Sequence, residues 1–128
     1  MFSKLFSSKS EETSIGWNSL TSHEELDKIE ELSREKAVVI FKHSTRCGIS
    51  AMALNRFERD FAEDAHFLPY YLDLIAYREI SNEVANRFNV QHQSPQTLLI
   101  VGGKAVYSAS HNGIDYHELN HIAASHIR

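Results

Sequence analysis

One cysteine, two prolines, five glycines, one tryptophan and no long apolar run are the scarcities of this 128-residue sequence. Each excludes something. A single thiol, Cys47, cannot form an internal disulfide, which fits a reducing compartment and leaves the sulfur free for exchange with other molecules. No stretch is apolar for long enough to span a bilayer. The opening "MFSKLFSSKSEETSIG" lacks the continuous apolar centre and the small-residue cleavage site of a signal peptide, so a cytoplasmic protein is expected. Charge of one sign is not concentrated either. Thirteen Lys and Arg stand against seventeen Asp and Glu, a net of −4 with no basic block, which makes nucleic acid and anionic membrane unexpected partners.

What is present is the composition of one folded domain. Apolar residues make up 42% and charged residues 23%, near the average for soluble proteins, in a chain too short for two ordinary domains. Residues 1 to 15 are polar, Ser-rich and aperiodic and are read as a loosely held N-terminal arm, with a small apolar contact open to Phe2, Leu5 and Phe6. Residues 16 to 128 form the domain.

Within it, the hydrophobic period alternates between helix and strand. Ser22 and Glu25 make a capping box ahead of a helix whose stripe is Leu26, Ile29 and Leu32. "AVVIFKH" (37 to 43) is a β-branched, apolar run with the character of a fully buried strand. Ile49, Ala53, Phe57 and Phe61 then recur every four residues, which predicts a helix over 47 to 62. "HFLPYYLDL" (66 to 74) is a second strand, expected to begin near Tyr70 because Pro69 lacks a donor. Ile80, Val84 and Phe88 form the stripe of a further helix that stops around Asn89. Thr97 to Val101 and Ala105 to Ser110 make a hairpin around "GGK", whose glycines supply positive φ. Asp115 and Glu118 repeat the capping pattern before a last helix with Tyr116, Leu119, Ala123 and Ile127 on one face.

The order α-β-α-β-α-β-β-α contains two crossover units that favour parallel strands, then an antiparallel hairpin. It predicts a mixed four-stranded sheet with helices on both faces, an α/β architecture of thioredoxin-like shape.

The chemistry concentrates in "HSTRCGIS". Cys47 falls at a strand-to-helix junction, where unpaired N–H groups and the positive end of the helix dipole favour a thiolate. Arg46 adjoins it and His43 lies four residues back. A lowered thiol pKa is the expectation, against the ordinary alternative that a lone cysteine is a small buried hydrophobe. Ser50 stands one helical turn on, where a dithiol centre would carry its second cysteine. Its hydroxyl can hydrogen-bond a thiolate but cannot attack a mixed disulfide. With no second cysteine, any disulfide formed by Cys47 must be released by another molecule.

Ser94-Pro95 directly precedes "TLLIV". In a thioredoxin-like fold a cis proline before that strand packs beside the active cysteine, and the backbone of Ser94 would be free to pair with a substrate backbone as an added strand does. An ordinary trans loop proline is the competing reading. His111 would reach this end of the sheet only if the following loop folds back. His117 and His121 share an i, i+4 spacing, but no supporting carboxylate motif accompanies them and no metal site is expected.

"KHSTRCGIS", "SPQTLLI" and "GGKAVYSASH", with the spacing between them, resemble the YtxJ-like family of monothiol bacilliredoxins, and the resemblance runs from about Ile15 to the end. It implies a thioredoxin-like thiol-disulfide oxidoreductase with no tightly bound cofactor and with bacillithiol as co-substrate. Its partners would be S-bacillithiolated proteins, with a second low-molecular-weight thiol or a partner redoxin as reductant. The resemblance makes Cys47 the nucleophile, supported by His43, Arg46, Gly48 and Ser50, with Ser94, Pro95 and Gln96 facing the substrate. The family pattern more often has Pro where this chain has Gly48. That glycine makes "CGIS" similar to the Cys-Gly-Phe-Ser centre of monothiol glutaredoxins, some of which carry a [2Fe-2S] cluster. Against this, a long helix precedes the first strand and the glutaredoxin glycine pair near the last helix is missing. A non-catalytic binding scaffold is the third reading.

Overall fold

The computed structural model describes residues 15–63 and 65–126. The N-terminal arm up to residue 14, with Phe2, Leu5 and Phe6, and the last stripe residue Ile127 lie outside them; Ile15 is buried in the core.

Its elements follow the chain as β1 (Asn18–Ser19), α1 (His23–Leu32), β2 (Val38–His43), α2 (Gly48–Asp60), β3 (Leu68–Asp73), α3 (Arg78–Phe88), β4 (Gln96–Val101), β5 (Lys104–Ser110), a 3-10 turn (His111–Gly113) and α4 (Tyr116–Ser125). The sheet order is β1-β3-β2-β4-β5. Strands β1, β3 and β2 run parallel, while β4 is antiparallel to β2 and to β5. The sheet therefore has five strands where four were expected. The addition is two residues long, too short to show a period, and it exists because Asn18 and Ser19 align with Tyr70 and Tyr71.

That edge also explains Pro69. Strand β3 starts at Leu68, ahead of the proline, and not at Tyr70 as expected. Leu68 N–H bonds Ala37 O on the β2 side, so by alternation the nitrogen of Pro69 faces the β1 side. There β1 has not yet begun, and no ladder bond is lost. Asn18 Nδ2 donates instead to Pro69 O at 3.2 Å.

Two apolar layers sandwich the sheet. On one face Val39, Phe41 and Leu99 pack against Ala53 and Phe57 of α2 and Tyr116, Leu119 and Ala123 of α4. On the other Val38, Ile40, Leu98 and Ile100 meet Leu26 and Ile29 of α1 and Ile80, Val84 and Phe88 of α3. The ring of Phe57 lies 5.4 Å from Phe41, 5.7 Å from Tyr116 and 5.9 Å from Trp17, a burial that contributes roughly 1.5–3 kcal/mol. It fixes the axis of α2 and therefore the position of the residue that begins it.

The end caps agree with their sequence signals. Ser22 Oγ accepts from Glu25 N–H at 3.1 Å, while the Glu25 carboxylate reaches back to Thr21 N–H, one residue earlier than a standard capping box. Asp115 caps α4 by accepting from His117 N–H. The hairpin turns on Gly102 and Gly103, at φ +62° and +80°, and its amides bond Ser33 at the end of α1.

Candidate active site

Buried β2 delivers the chain to the carboxyl end of the sheet, and Ser44–Arg46 carry it over to α2. Cys47 is the N-cap of that helix, with extended backbone (φ −124°, ψ 123°) and no side-chain hydrogen bond to the helix. Its carbonyl accepts from Ala51 N–H and its own N–H donates to Ser44 O. The sulfur is a free, partly exposed thiol at the helix end where the N–H groups lack partners.

Ser50, expected to face the thiolate, has another role. It is fully buried, and its Oγ accepts from Ser44 N–H at 3.0 Å and lies 2.7 Å from His43 Nδ1. The hydroxyl thus ties the end of β2 to the first turn of α2 beneath the thiol. His43 is itself buried. Burial pushes its pKa below the ordinary value, opposed by the carboxylates of Asp73 and Glu58, so at neutral pH its imidazole is uncharged. The expected positive charge behind the thiol is therefore not supplied by His43; Arg46, exposed beside it, is the remaining cation of the motif.

The Ser94-Pro95 peptide is cis. Pro95 O accepts from His111 N–H at 3.1 Å, so the loop after β5 does fold back, and it brings His111 to this end of the sheet. His111 holds a left-handed backbone, φ +54°, uncommon for a residue with a side chain. Ser94 pairs with no other main-chain group among the described residues, and its buried Oγ has no partner among them. Gln96 differs from expectation. It is buried, its Nε2 donates to Gln91 O at 3.0 Å and its Oε1 accepts from Gln93 N–H at 3.3 Å. Its amide closes the 91–96 loop.

Two features escaped the sequence reading. Ile49 was assigned to the buried stripe of α2, yet it is 59% exposed, as Met52 is 67% exposed; in the first turn the buried side is taken by Ser50, and the apolar stripe is covered from Ala53 onward. The second feature is Lys42, inside the apolar run of β2 and fully buried. Its Nζ lies 3.3 Å from Ser81 O and 3.2 Å from His92 Nδ1, and burial lowers its pKa to about 8. His92 is also lowered, by burial first and then by Lys42 and Arg78. The amine links α3 to the loop that leads into Pro95. The strand's apolar pattern was the signal, since a run buried on both faces buries every residue in it.

Among the described residues, two cavities stand out. One of about 760 Å³ includes Arg34, Ala37, His66 and Gly102 and lies at the opposite end of the strands from the thiol. A smaller groove of about 210 Å³ begins at Ile49, two residues after Cys47. His117 and His121 are exposed on α4, and among the described residues no group of three or more His, Cys, Asp or Glu is placed to hold a metal ion. No helix among them is long and apolar enough to cross a membrane.

Cys47 thus caps α2 at the end of β2 where Ser94-Pro95 leads into the paired strand β4. Residues 18–119 match the model of the monothiol bacilliredoxin BrxC family. The chain belongs to that family. Among solved structures, a candidate oxidoreductase with a thioredoxin fold is 32% identical, with a TM-score of 0.70 over 80% of this chain and 89% of the other. The thioredoxin of Malassezia sympodialis is 20% identical, with a TM-score of 0.66 over 89% and 93%. That of Schistosoma mansoni is 19% identical, with a TM-score of 0.64 over 87% and 95%. These last two show the fold, and the bacilliredoxin family together with that fold gives the chain a thiol redox role.

Proposed function

We propose that this bacilliredoxin removes bacillithiol from S-bacillithiolated proteins. The observation that carries the reading is the pairing of one accessible thiol with a buried serine at the position of a resolving cysteine. The Cys47 thiolate attacks the bacillithiol sulfur of the mixed disulfide. A Cys47-S-S-bacillithiol bond forms, the protein-sulfur bond breaks, and the released protein thiolate takes a proton from solvent. Ser50 has no thiolate to offer, so the intermediate persists until a second low-molecular-weight thiol or a partner redoxin attacks it and returns Cys47 as thiolate. The N–H groups of the first turn of α2 lie at the helix end that Cys47 caps. Gly48, the first helical residue, contributes one of those groups where proline would not.

On the substrate side, Ser94 offers unpaired main-chain groups next to Pro95, suited to an extended peptide adding along this edge. The cluster-carrier alternative rests on the Cys-Gly-Ile-Ser sequence.

The test uses the purified protein and an S-bacillithiolated substrate protein, with intact mass as the readout. The expected result is loss of bacillithiol from the substrate and its appearance on wild-type protein, with neither in Cys47→Ser. Absence of transfer from every substrate tried refutes the reading.

A further inference from the structure

The groove beside Cys47 has a composition the exchange chemistry does not require. Ile49, Met52, Ala53 and Arg56 line one side, at the i, i+3, i+4, i+7 spacing of a single helix face. His111 and Asn112 of the 3-10 turn line the other. The floor is apolar and the rim is cationic. Arg56 Nη2 donates to Ile114 O at 3.2 Å, which fixes the guanidinium while leaving its other N–H groups available. Among the described residues, no carboxylate pairs with Arg46, Arg56 or His111. Two proton-donating side chains without acidic partners, Arg56 and His111, thus share the rim of one groove on a chain of net charge −4. The left-handed His111, tied through its N–H to Pro95 O, is the kind of backbone outlier that accompanies a ligand site.

We propose that this groove seats the carboxylate-bearing body of the small thiol while its sulfur is bonded to Cys47, with Arg56 and His111 taking the carboxylate. The proposal rests on the exchange reading above and adds a specificity site to it. A guanidinium held by one carbonyl is preorganised to donate to carboxylate oxygens, and imidazole donates through a ring N–H in either charge state. Ile49 and Met52 cover the apolar part of the bound thiol, which accounts for their exposure in its absence. The site would favour an anionic thiol over a neutral one of similar reactivity.

The experiment compares two symmetric disulfides, bacillithiol disulfide and 2-hydroxyethyl disulfide. Each loads Cys47 by the same step: the thiolate attacks one sulfur, a mixed disulfide forms, and one equivalent of thiolate leaves and is protonated. Loading rates are read by intact mass for wild type, Arg56→Gln, His111→Asn and the double variant; asparagine tolerates the left-handed backbone. The ratio of bacillithiol to hydroxyethyl loading is expected to fall about tenfold in the double variant, the scale of a lost charge-assisted hydrogen bond. A ratio kept within about twofold overturns the subsite while leaving the exchange reading intact. So does a loss confined to transfer from protein substrates, which would make the groove a protein-docking surface. A wild type that accepts the hydroxyethyl group but no bacillithiol overturns the functional reading and the subsite together.

Discussion

His43 Nδ1 and Ser50 Oγ lie 2.7 Å apart in the buried layer under the thiol, and the same hydroxyl accepts from Ser44 N–H. The residue that occupies the resolving position is thus a structural tie between the strand end and the helix start. Ser50→Ala leaves a buried imidazole nitrogen and a backbone N–H unpaired, and should destabilise the fold by about 1–3 kcal/mol. Urea unfolding checks this; a midpoint equal to wild type would mean that the tie contributes nothing.

Gly48 should accept proline. Its place is the first helical position, an added Cβ meets nothing within 4 Å, and Cys47 before it is already extended, the conformation a following proline demands. Gly48→Pro is expected to raise stability by about 0.4–1 kcal/mol through the unfolded state, read as a melting temperature higher by a few degrees. A lower melting temperature would show that the glycine is needed for the geometry of the turn.

Lys42 makes stability depend on alkaline pH. Its folded pKa of about 8 lies below the unfolded value of 10.5, so between these values the unfolded chain binds more protons and stability rises with pH. Below pH 8 both states are protonated and the burial cost is fully felt. Lys42→Met removes this dependence, and the difference in urea midpoint between wild type and variant should shift in favour of wild type from pH 7.5 to pH 9.5. Tyr70, Tyr71 and Tyr107, raised by burial, act in the opposite direction above about pH 10 and cancel in the comparison. Parallel curves would refute the assignment.

On the acid side, His43 resists protonation because it is buried. The unfolded imidazole takes its proton near pH 6.5 while the folded one does not, so His43 stabilises the fold fully above that pH and less as pH falls below it. Proton NMR, with the resonance assigned by its loss in His43→Asn, should give a midpoint below 6.5. A midpoint at or above that value would mean that Asp73 and Glu58 outweigh burial.

Much of this was legible in the sequence because it depends on local rules. The capped helices, the buried strand run, the diglycine hairpin and the placement of Cys47 at a strand-to-helix junction follow from periodicity and backbone preference. The lone cysteine by itself determined that exchange must be intermolecular. Elements whose existence depends on a distant partner were not legible. Two residues, Asn18 and Ser19, become a strand only because Tyr70 and Tyr71 lie beside them, and Pro69 is tolerated in β3 because its missing donor faces that short edge. Ile49 fits the apolar stripe but is exposed, since sequence period does not reveal which side of a helix's first turn the rest of the fold covers. The tertiary structure also decided which partners the polar side chains take. Ser50 turns to His43, Gln96 closes its own loop, Lys42 is buried against His92, and His111 is brought round to Pro95. These outcomes are set by burial and hydrogen-bond satisfaction in three dimensions, whether the partner is near in the chain, as Gln93 is to Gln96, or distant, as His92 is from Lys42.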